Sequence, residues 1–417
     1  MNTPAIDHAL LTLIPATSEQ ARLVRKNTLS WFGKWDNLTS TEWEHQDEKI
    51  VIDSQSGLEH KRMTTWLLVP RSSILPTCPI TSSAGSDTIY SHFETYRLPA
   101  VFSSSTSYDT PQHTSVYAIG TVWTPEQHRR KGYARLALQL GHYVLGASQY
   151  LPSFPEEWGS PPPIVLGDAA ASVLNSDIGT KYYESCTIGT DQPGWKEQGS
   201  TITEWDLRDL RCQVAGPDIE GWNWISSLEA LQGSASVAVD EAVKQHERAS
   251  GDSRVTILPT SDIISGHHNR LLLRPPFPPE YPPARPTAFA AFNAEGGSLF
   301  VYYPSTSAVS YPPFEKKGKT LCVAQMVGDI PWKVIQETAA REGCQRLEVW
   351  GKFEPPSSWP TGAVSDRGDL YSMMAWYRPL QTGEKNAVWL GNGMWIPCRT
   401  WNYQRVLAER DDTKEWL

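Results

Sequence analysis

The sequence predicts an α/β (α+β) protein made of mixed sheets flanked by helices, arranged as two lobes over residues 1–212 and 213–417. Three observations predict it. Residues 115–147 read as a strand, a tight turn and an amphipathic helix. The strand (SVYAIGTVWT) is β-branched and aromatic, and Leu136, Leu140, Val144 and Ala147 recur at helical spacing. Near the C-terminus, three alternating strands over 288–293, 297–303 and 320–327 precede a helix over 331–342, with proline in its first turn, and a final strand over 346–350. At 417 residues the chain is also long for one hydrophobic core.

In chain order, residues 11–14 (LTLI) form a short first strand that Pro15 ends. Thr17 then caps a helix. Gln20, three residues on, completes a capping box in which each side chain serves the other residue's backbone N–H. That helix runs to about Trp31, and a weaker one covers 41–50. Strands follow at 63–69 and 88–96, separated by a Ser/Pro/Gly loop over 72–87, and a second loop over 103–113 leads to the strand of 115–124. Residues 150–163 are Pro-rich and irregular, with Trp158 as a packing anchor. A strand over 170–174 and a short helix over 176–185 complete the first lobe. Beyond residue 215, helices are expected over 220–231 and 238–249 and a strand over 254–258. Residues 274–286 (RPPFPPEYPPARP) are too proline-dense for a helix or a central strand. They read as an extended surface segment, either a rigid connection or a ligand for a proline-recognising partner.

A formal charge of −9 argues against nucleic acid as a partner. Six cysteines lie scattered with no CxxC pair. That spacing fits neither a zinc finger nor a disulfide-dense scaffold, so no metal is expected and the thiols read as those of a reducing, cytoplasmic protein. No basic start is followed by an apolar run and no stretch has the apolar length of a membrane span, so neither a secretory route nor a membrane partner is expected. Most of the eighteen tryptophans read as packing residues. The oligomeric state is open.

Arg129-Arg130-Lys131-Gly132-Tyr133-Ala134 opens the amphipathic helix. A glycine and a small residue two positions on let backbone N–H groups approach a ligand where orphan amides and the helix dipole favour phosphate. Three consecutive cations add attraction for a polyanion. The alternative is a solvated basic turn that merely begins a helix. The pattern Arg-x-x-Gly-x-Ala, after a strand ending Val122-Trp123-Thr124-Pro125, resembles the acetyl-CoA-binding turn of the GNAT superfamily of N-acetyltransferases. The expected order β-α-α-β-β-β-α-β-α is also that superfamily's. Further stretches resemble the fungal lysine N-acetyltransferase family. These are His92-Phe93-Glu94-Thr95-Tyr96-Arg97 before Pro99-Ala100, Ser176-Asp177-Ile178-Gly179 before Tyr182-Tyr183, residues 259–268 (PTSDIISGHH), and the Trp-rich C-terminal end. The resemblance implies a GNAT-type mixed sheet with acetyl-CoA as cosubstrate and a small primary amine, foremost the side-chain amine of free lysine, as acceptor. Residues 129–134 would hold the pyrophosphate, and Val122 and Thr124 would offer strand-edge groups to the pantetheine arm. The second lobe lacks the turn, and so reads as a GNAT-like companion that binds no coenzyme A and contributes to the acceptor pocket.

Acetyl transfer to an amine needs a bound thioester, a deprotonated amine and a proton for the departing thiolate. The resemblance assigns that proton to Tyr183, with Tyr182 as the alternate; the other reading is an aromatic helix face packed on the sheet. One departure is Ser176 directly after Asn175, where relatives place Asn before the helix. The strand over 115–124 carries no carboxylate, so Glu94 is the candidate base, with His92 on the same strand face. Glu94 equally reads as the ion-pair partner of Arg97 or another cation. For a lysine-sized acceptor, Glu94 would take the α-amine and Arg97 the α-carboxylate. His267 and His268 read as structural. Two rival readings remain: an acetyltransferase for a polyamine or a secondary-metabolite amine, and a non-catalytic acyl-CoA-binding protein.

Overall fold

The computed structural model describes residues 7–32, 62–104, 110–176, 178–208, 219–248, 252–272, 287–305, 319–351, 353–366, 371–380 and 387–389. The first half runs β1 (Leu11–Pro15), α1 (Ser18–Phe32), β2 (Met63–Pro70), β3 (Ile74–Leu75), β4 (Cys78–Ser82), β5 (Ser91–Ser103), β6 (Gln112–Trp123), α2 (Tyr133–Leu145), β7 (Ala169–Ser176), α3 (Lys181–Glu184), β8 (Lys196–Glu197) and β9 (Thr201–Asp206). The second half runs β10 (Trp222–Ile225), α4 (Leu228–Arg248), β11 (Arg254–Ile257), α5 (Ser261–Leu272), β12 (Ala290–Asn293), β13 (Ser298–Ser305), β14 (Thr320–Val327), α6 (Trp332–Glu342), β15 (Arg346–Trp350), β16 (Ala363–Asp366), β17 (Tyr371–Trp376) and β18 (Val388–Trp389).

Local sequence explains most of these boundaries. The capping box forms as expected: the Thr17 N–H donates to Gln20 Oε1 at 3.1 Å and the Gln20 N–H to Thr17 Oγ1 at 3.2 Å. The helix expected over 41–50 and the proline-dense 274–286 lie outside the described residues. The loop expected over 72–87 holds the small β3–β4 hairpin. Instead of two helices over 220–249 there is one, preceded by a strand. Gly221, at φ 78°, turns the chain before β10, whose Trp222 and Ile225 are buried while it pairs with β12. The helix expected over 176–185 shrinks to α3, because β7 continues through Ser176 and Gly179 bends the chain at φ 83°. Residues 346–350 are not the last strand; β16, β17 and β18 follow.

Two large mixed sheets result. One orders its strands β1-β2-β5-β6-β7-β17-β8, with β11 and β18 attached beside β5; the other orders them β10-β12-β13-β14-β15-β9-β16. Pairing is antiparallel except for β6 with β7, β14 with β15, and β11 with β18. The helix after the first parallel strand of each sheet, α2 or α6, makes the crossover that a parallel pair requires. The sheets exchange strands. β9, from the first half, pairs with β15 and β16, whereas β11, β17 and β18 from the second half join the first sheet. One apolar cluster reaches from Val116, Ala118 and Val173 of the first sheet through Leu231, Ala238 and Ala242 of α4 to Val301 and Cys322 of the second. Another lies under α2 and includes Trp66, Phe93, Tyr117 and Trp195. Trp158 packs edge-on to Tyr143 and Phe154. Trp205, Trp332 and Trp359 pack together on the second sheet, tilted or edge-on to one another.

Two buried histidines sew the exchange together. His142 of α2 is hydrogen-bonded to the Tyr377 hydroxyl at 2.9 Å and to the Cys186 carbonyl at 3.0 Å, and Tyr377 in turn meets the Ser172 hydroxyl at 2.6 Å. His246 of α4 bridges Ser103 of β5 and Thr256 of β11, at 2.7 and 3.0 Å. Burial pushes both imidazoles down to about 4, with Arg254 adding to the effect at His246. Among the described residues no helix is long and apolar enough to cross a membrane.

These features generate two expectations. A histidine whose folded pKa lies near 4, against roughly 6.5 unfolded, binds its proton only in the unfolded chain between those values. Its stabilising contribution is therefore full above about pH 6.5 and is lost as pH falls towards 4. Urea midpoints measured from pH 7.5 to 4.5 should drop across that window, and His246→Gln should flatten the slope whatever its own stability. Separately, a chain ended at residue 212 leaves β9 without β15 and β7 without β17. It should aggregate or lack a cooperative melt; a soluble fragment with a sharp near-UV transition would contradict the strand exchange.

Candidate functional site

The site forms where β6 stops behaving as an ordinary strand. Its antiparallel ladder with β5 holds from Phe102–Gln112 to Glu94–Gly120; then Thr121 and Val122 together oppose Phe93 before the ladder resumes at His92–Trp123. This is a β-bulge. Thr121 sits at φ 50°, in the left-handed region that a β-branched residue seldom enters. On its other side β6 runs parallel to β7, but the pairing stops at Ala118–Val173, while β7 continues to Ser176 against β17. The end of β6 thus leaves β7, and the backbone groups of 119–123 on that side meet no strand among the described residues.

Beyond β6 the chain makes one 3-10 turn over Glu126–His128 and then two left-handed residues, Arg130 at φ 62° and Gly132 at φ 77°. Gly132 is the N-cap of α2 and supplies no side-chain cap. A Cβ at Gly132 would stand a tight 3.2 Å from His8 Cε1, and the φ of 77° itself disfavours a side chain there. His8 also braces the turn through a hydrogen bond to the Lys131 carbonyl at 3.1 Å. The turn opens on a cavity of about 230 Å³ lined by Thr124, Arg129, Arg130, Gly132, Ala134, Arg135 and Tyr182, among others.

Several orientations are set by packing. Arg129 lies over the Trp123 ring at 4.9 Å and its Nε donates to the Thr124 carbonyl at 3.2 Å. Lys131 Nζ donates to the Gln127 carbonyl at 3.1 Å. Thr124 donates to Ser91 Oγ, which donates to the Trp123 carbonyl. Val122 is half-buried against the core under α2. Tyr133 is 1% exposed, its ring packed among Tyr90, His128 and His8. Cations at the positive end of a helix oppose its dipole. Arg129, Arg130 and Arg135 around one uncapped helix start therefore suit an anion.

The tyrosines divide. Tyr183 is 8% exposed and packs edge-on to Trp195 in the core, whereas Tyr182 lines the cavity. Burial, with Cys186 nearby, pushes the Tyr182 hydroxyl well above its ordinary pKa, so it stays protonated at neutral pH. Glu94 is 1% exposed on the face of the first sheet that α1 covers. It pairs with Arg25 at 3.6 Å and accepts hydrogen bonds from the Tyr96 hydroxyl at 3.0 Å and the Thr121 hydroxyl at 2.7 Å. His92 is buried as well. Arg97 sits elsewhere, on the other face of β5 and towards the far end of β6 from the turn. There it pairs with Asp168 at 2.8 Å, alongside Tyr117 and Ser115, which donate to the same carboxylate. The structure brings Glu94 together with Arg25 and does not bring it together with Arg97.

The sequence reading passed over Arg135, His8 and Asp168. Arg135 was legible as a further cation in the first turn of the helix; His8 and Asp168 act across the fold and carry no local signal. In the second sheet the corresponding connection is Gly328-Asp329-Ile330-Pro331, with an acid and no cation before α6, whose N-cap is Pro331. Among the described residues no group of three or more His, Cys, Asp or Glu side chains is placed to hold a metal ion.

No family model matches the sequence, and no curated protein matches it. Solved structures do resemble it. A GCN5-related N-acetyltransferase from Anabaena variabilis aligns with TM-score 0.46 and 12% identity over 87% of this chain and 72% of its own. A GCN5-related N-acetyltransferase from Kribbella flavida aligns with TM-score 0.42 and 11% identity over 87% and 70%. Saccharomyces cerevisiae N-myristoyltransferase with bound myristoyl-CoA aligns with TM-score 0.41 and 7% identity over 91% and 81%.

Proposed function

We propose that the chain is an acetyl-CoA-dependent N-acetyltransferase acting on a small primary amine in the cytoplasm, the side-chain amine of free lysine being the leading acceptor. The observation that carries the reading is the uncapped start of α2, ringed by Arg129, Arg130 and Arg135 and opening on a cavity next to the parted end of β6. Orphan amides, a helix dipole and several cations at one point suit a pyrophosphate. The parted strand suits an extended amide-bearing chain, because the edge that β7 no longer covers can pair with it as another strand would.

In this reading residues 129–134 and Arg135 hold the pyrophosphate, and the backbone of 119–124, including Val122 and Thr124, guides the pantetheine arm. Acetyl-CoA would supply the activated thioester. Tyr182, which lines the cavity and keeps its proton, would deliver that proton to the departing thiolate; Tyr183, deeper in the core, is the alternative. Lysine as acceptor is supported only by the sequence resemblance, over residues 92–100, 176–183 and 259–268 and the Trp-rich C-terminal end. The second half of the chain would contribute to the acceptor pocket. A second reading, a non-catalytic acyl-CoA-binding protein, is favoured by one observation: Glu94, the nearest carboxylate on a neighbouring strand, is engaged by Arg25, Tyr96 and Thr121. Thiol release from acetyl-CoA with a panel of amines separates the two.

Two substitutions test the site. Ala134→Glu places a carboxylate in the first helical turn, which favours the helix but opposes a bound phosphate. The variant should melt no lower than the parent and lose acetyl-CoA binding by calorimetry; unchanged affinity would remove the turn from the cofactor site. Tyr182→Phe should lower kcat by about 10²–10⁴-fold with little change in acetyl-CoA affinity. The same loss confined to Tyr183→Phe would return the role to its neighbour.

A further inference from the structure

The buried polar cluster on the α1 face of the first sheet joins Arg25 of α1, Glu94 and Tyr96 of β5, and Thr121 of β6. Glu94 carries one ion pair and two hydroxyl hydrogen bonds within this cluster, at 3.6, 3.0 and 2.7 Å. One of those hydroxyls belongs to the only non-glycine residue in β6 with positive φ among the described residues. Thr121 is also the bulged residue, three positions past the last rung between β6 and β7. Left to itself, a β-branched residue would relax out of this conformation, at a gain typical of strained backbone, and the extra residue would no longer be held.

We propose that Glu94 is a positioning residue: its carboxylate clamps Thr121 in the left-handed conformation, and the bulge so fixed turns the end of β6 away from β7 and opens the groove for the acyl-CoA arm. The proposal rests on the acyl-CoA reading of that groove. Three features point to a clamp rather than a proton acceptor. The side chain is 1% exposed. Both carboxylate oxygens are engaged, Oε1 by Arg25 and Oε2 by two hydroxyl donors. The hydroxyl of the strained residue makes the shortest of these contacts. Arg25 ties the clamp to α1, whose own start is fixed by the Thr17–Gln20 box. Phe93, the residue opposite the bulge, points to the other face and touches Gly141 of α2, where a Cβ would stand 3.0 Å from the ring. The same bulge therefore registers β6 against the helix whose start forms the turn.

The test uses the left-handed tolerance of glycine. Thr121→Val removes the hydroxyl and keeps the β-branch, Thr121→Gly removes the need for a clamp, and Glu94→Gln weakens the clamp. Hydrogen exchange followed by mass spectrometry reads the amides of residues 115–124 in the full chain, and calorimetry reads acetyl-CoA affinity. Glu94→Gln and Thr121→Val should speed exchange in that segment and weaken acetyl-CoA by about tenfold, the scale of one charge-assisted hydrogen bond. Thr121→Gly should lose less affinity than Thr121→Val, and Glu94→Gln should cost far less affinity in the Thr121→Gly background than in the parent. Parent-like exchange in Thr121→Val, or no rescue by glycine, overturns the clamp. So does a Glu94→Gln chain that keeps affinity and exchange but loses kcat with an altered pH profile, the behaviour of a proton acceptor. If the parent does not bind acetyl-CoA, the functional reading fails while the exchange measurements still judge the clamp. If Glu94→Gln does not fold, the contrast between Thr121→Val and Thr121→Gly decides alone.

Discussion

Two strands that start parallel and then part leave backbone groups that neither can satisfy for the other. In this chain the parting follows Ala118 and Val173, and the rest of the first lobe is arranged around it. β7 continues past the parting, held on its other edge by β17, which draws the C-terminal half of the chain into the first sheet. β6 keeps β5 as its partner, absorbs an extra residue at Thr121, and delivers the chain to a helix start held open by a left-handed glycine. An unpaired edge inside a fold is a cost unless something occupies it. The cations gathered around the start of α2 would suit an anionic occupant.

Much of this was legible locally. The Thr17–Gln20 box, the strand over residues 115–124 and the turn at Gly132 are patterns within a few residues, and the structure has each of them. The strands and helix from β12 to β15 were readable for the same reason. What could not be read depends on partners far away in sequence. Nothing in Tyr371–Trp376 says that it belongs beside β7 rather than beside its own neighbours. Trp222–Ile225 resembles a helical turn until β12 is available to pair with it. Tyr182 and Tyr183 are adjacent and chemically alike; which one faces the cavity is settled by Trp195, which packs against Tyr183.

The pairing of the charged residues teaches the same lesson. Arg97 is three residues from Glu94, close enough in sequence to suggest an ion pair or a shared ligand. On a strand, an odd offset puts the two side chains on opposite faces. Each therefore found a partner from another element, Asp168 for one and Arg25 for the other. Sequence proximity suggested an interaction that strand periodicity forbids.

The exchanged strands also set a clock. β7 emerges from the ribosome roughly two hundred residues before β17, the strand that covers its edge. At about 5–20 residues per second, that edge waits some ten to forty seconds for its partner. During that interval the nascent chain presents β7, whose described residues are almost all apolar or small, to its surroundings. The first sheet cannot mature vectorially from its N-terminus. Its completion waits for β17 and β18, and a pause in translation after β9 would lengthen the period in which chaperones must shield it.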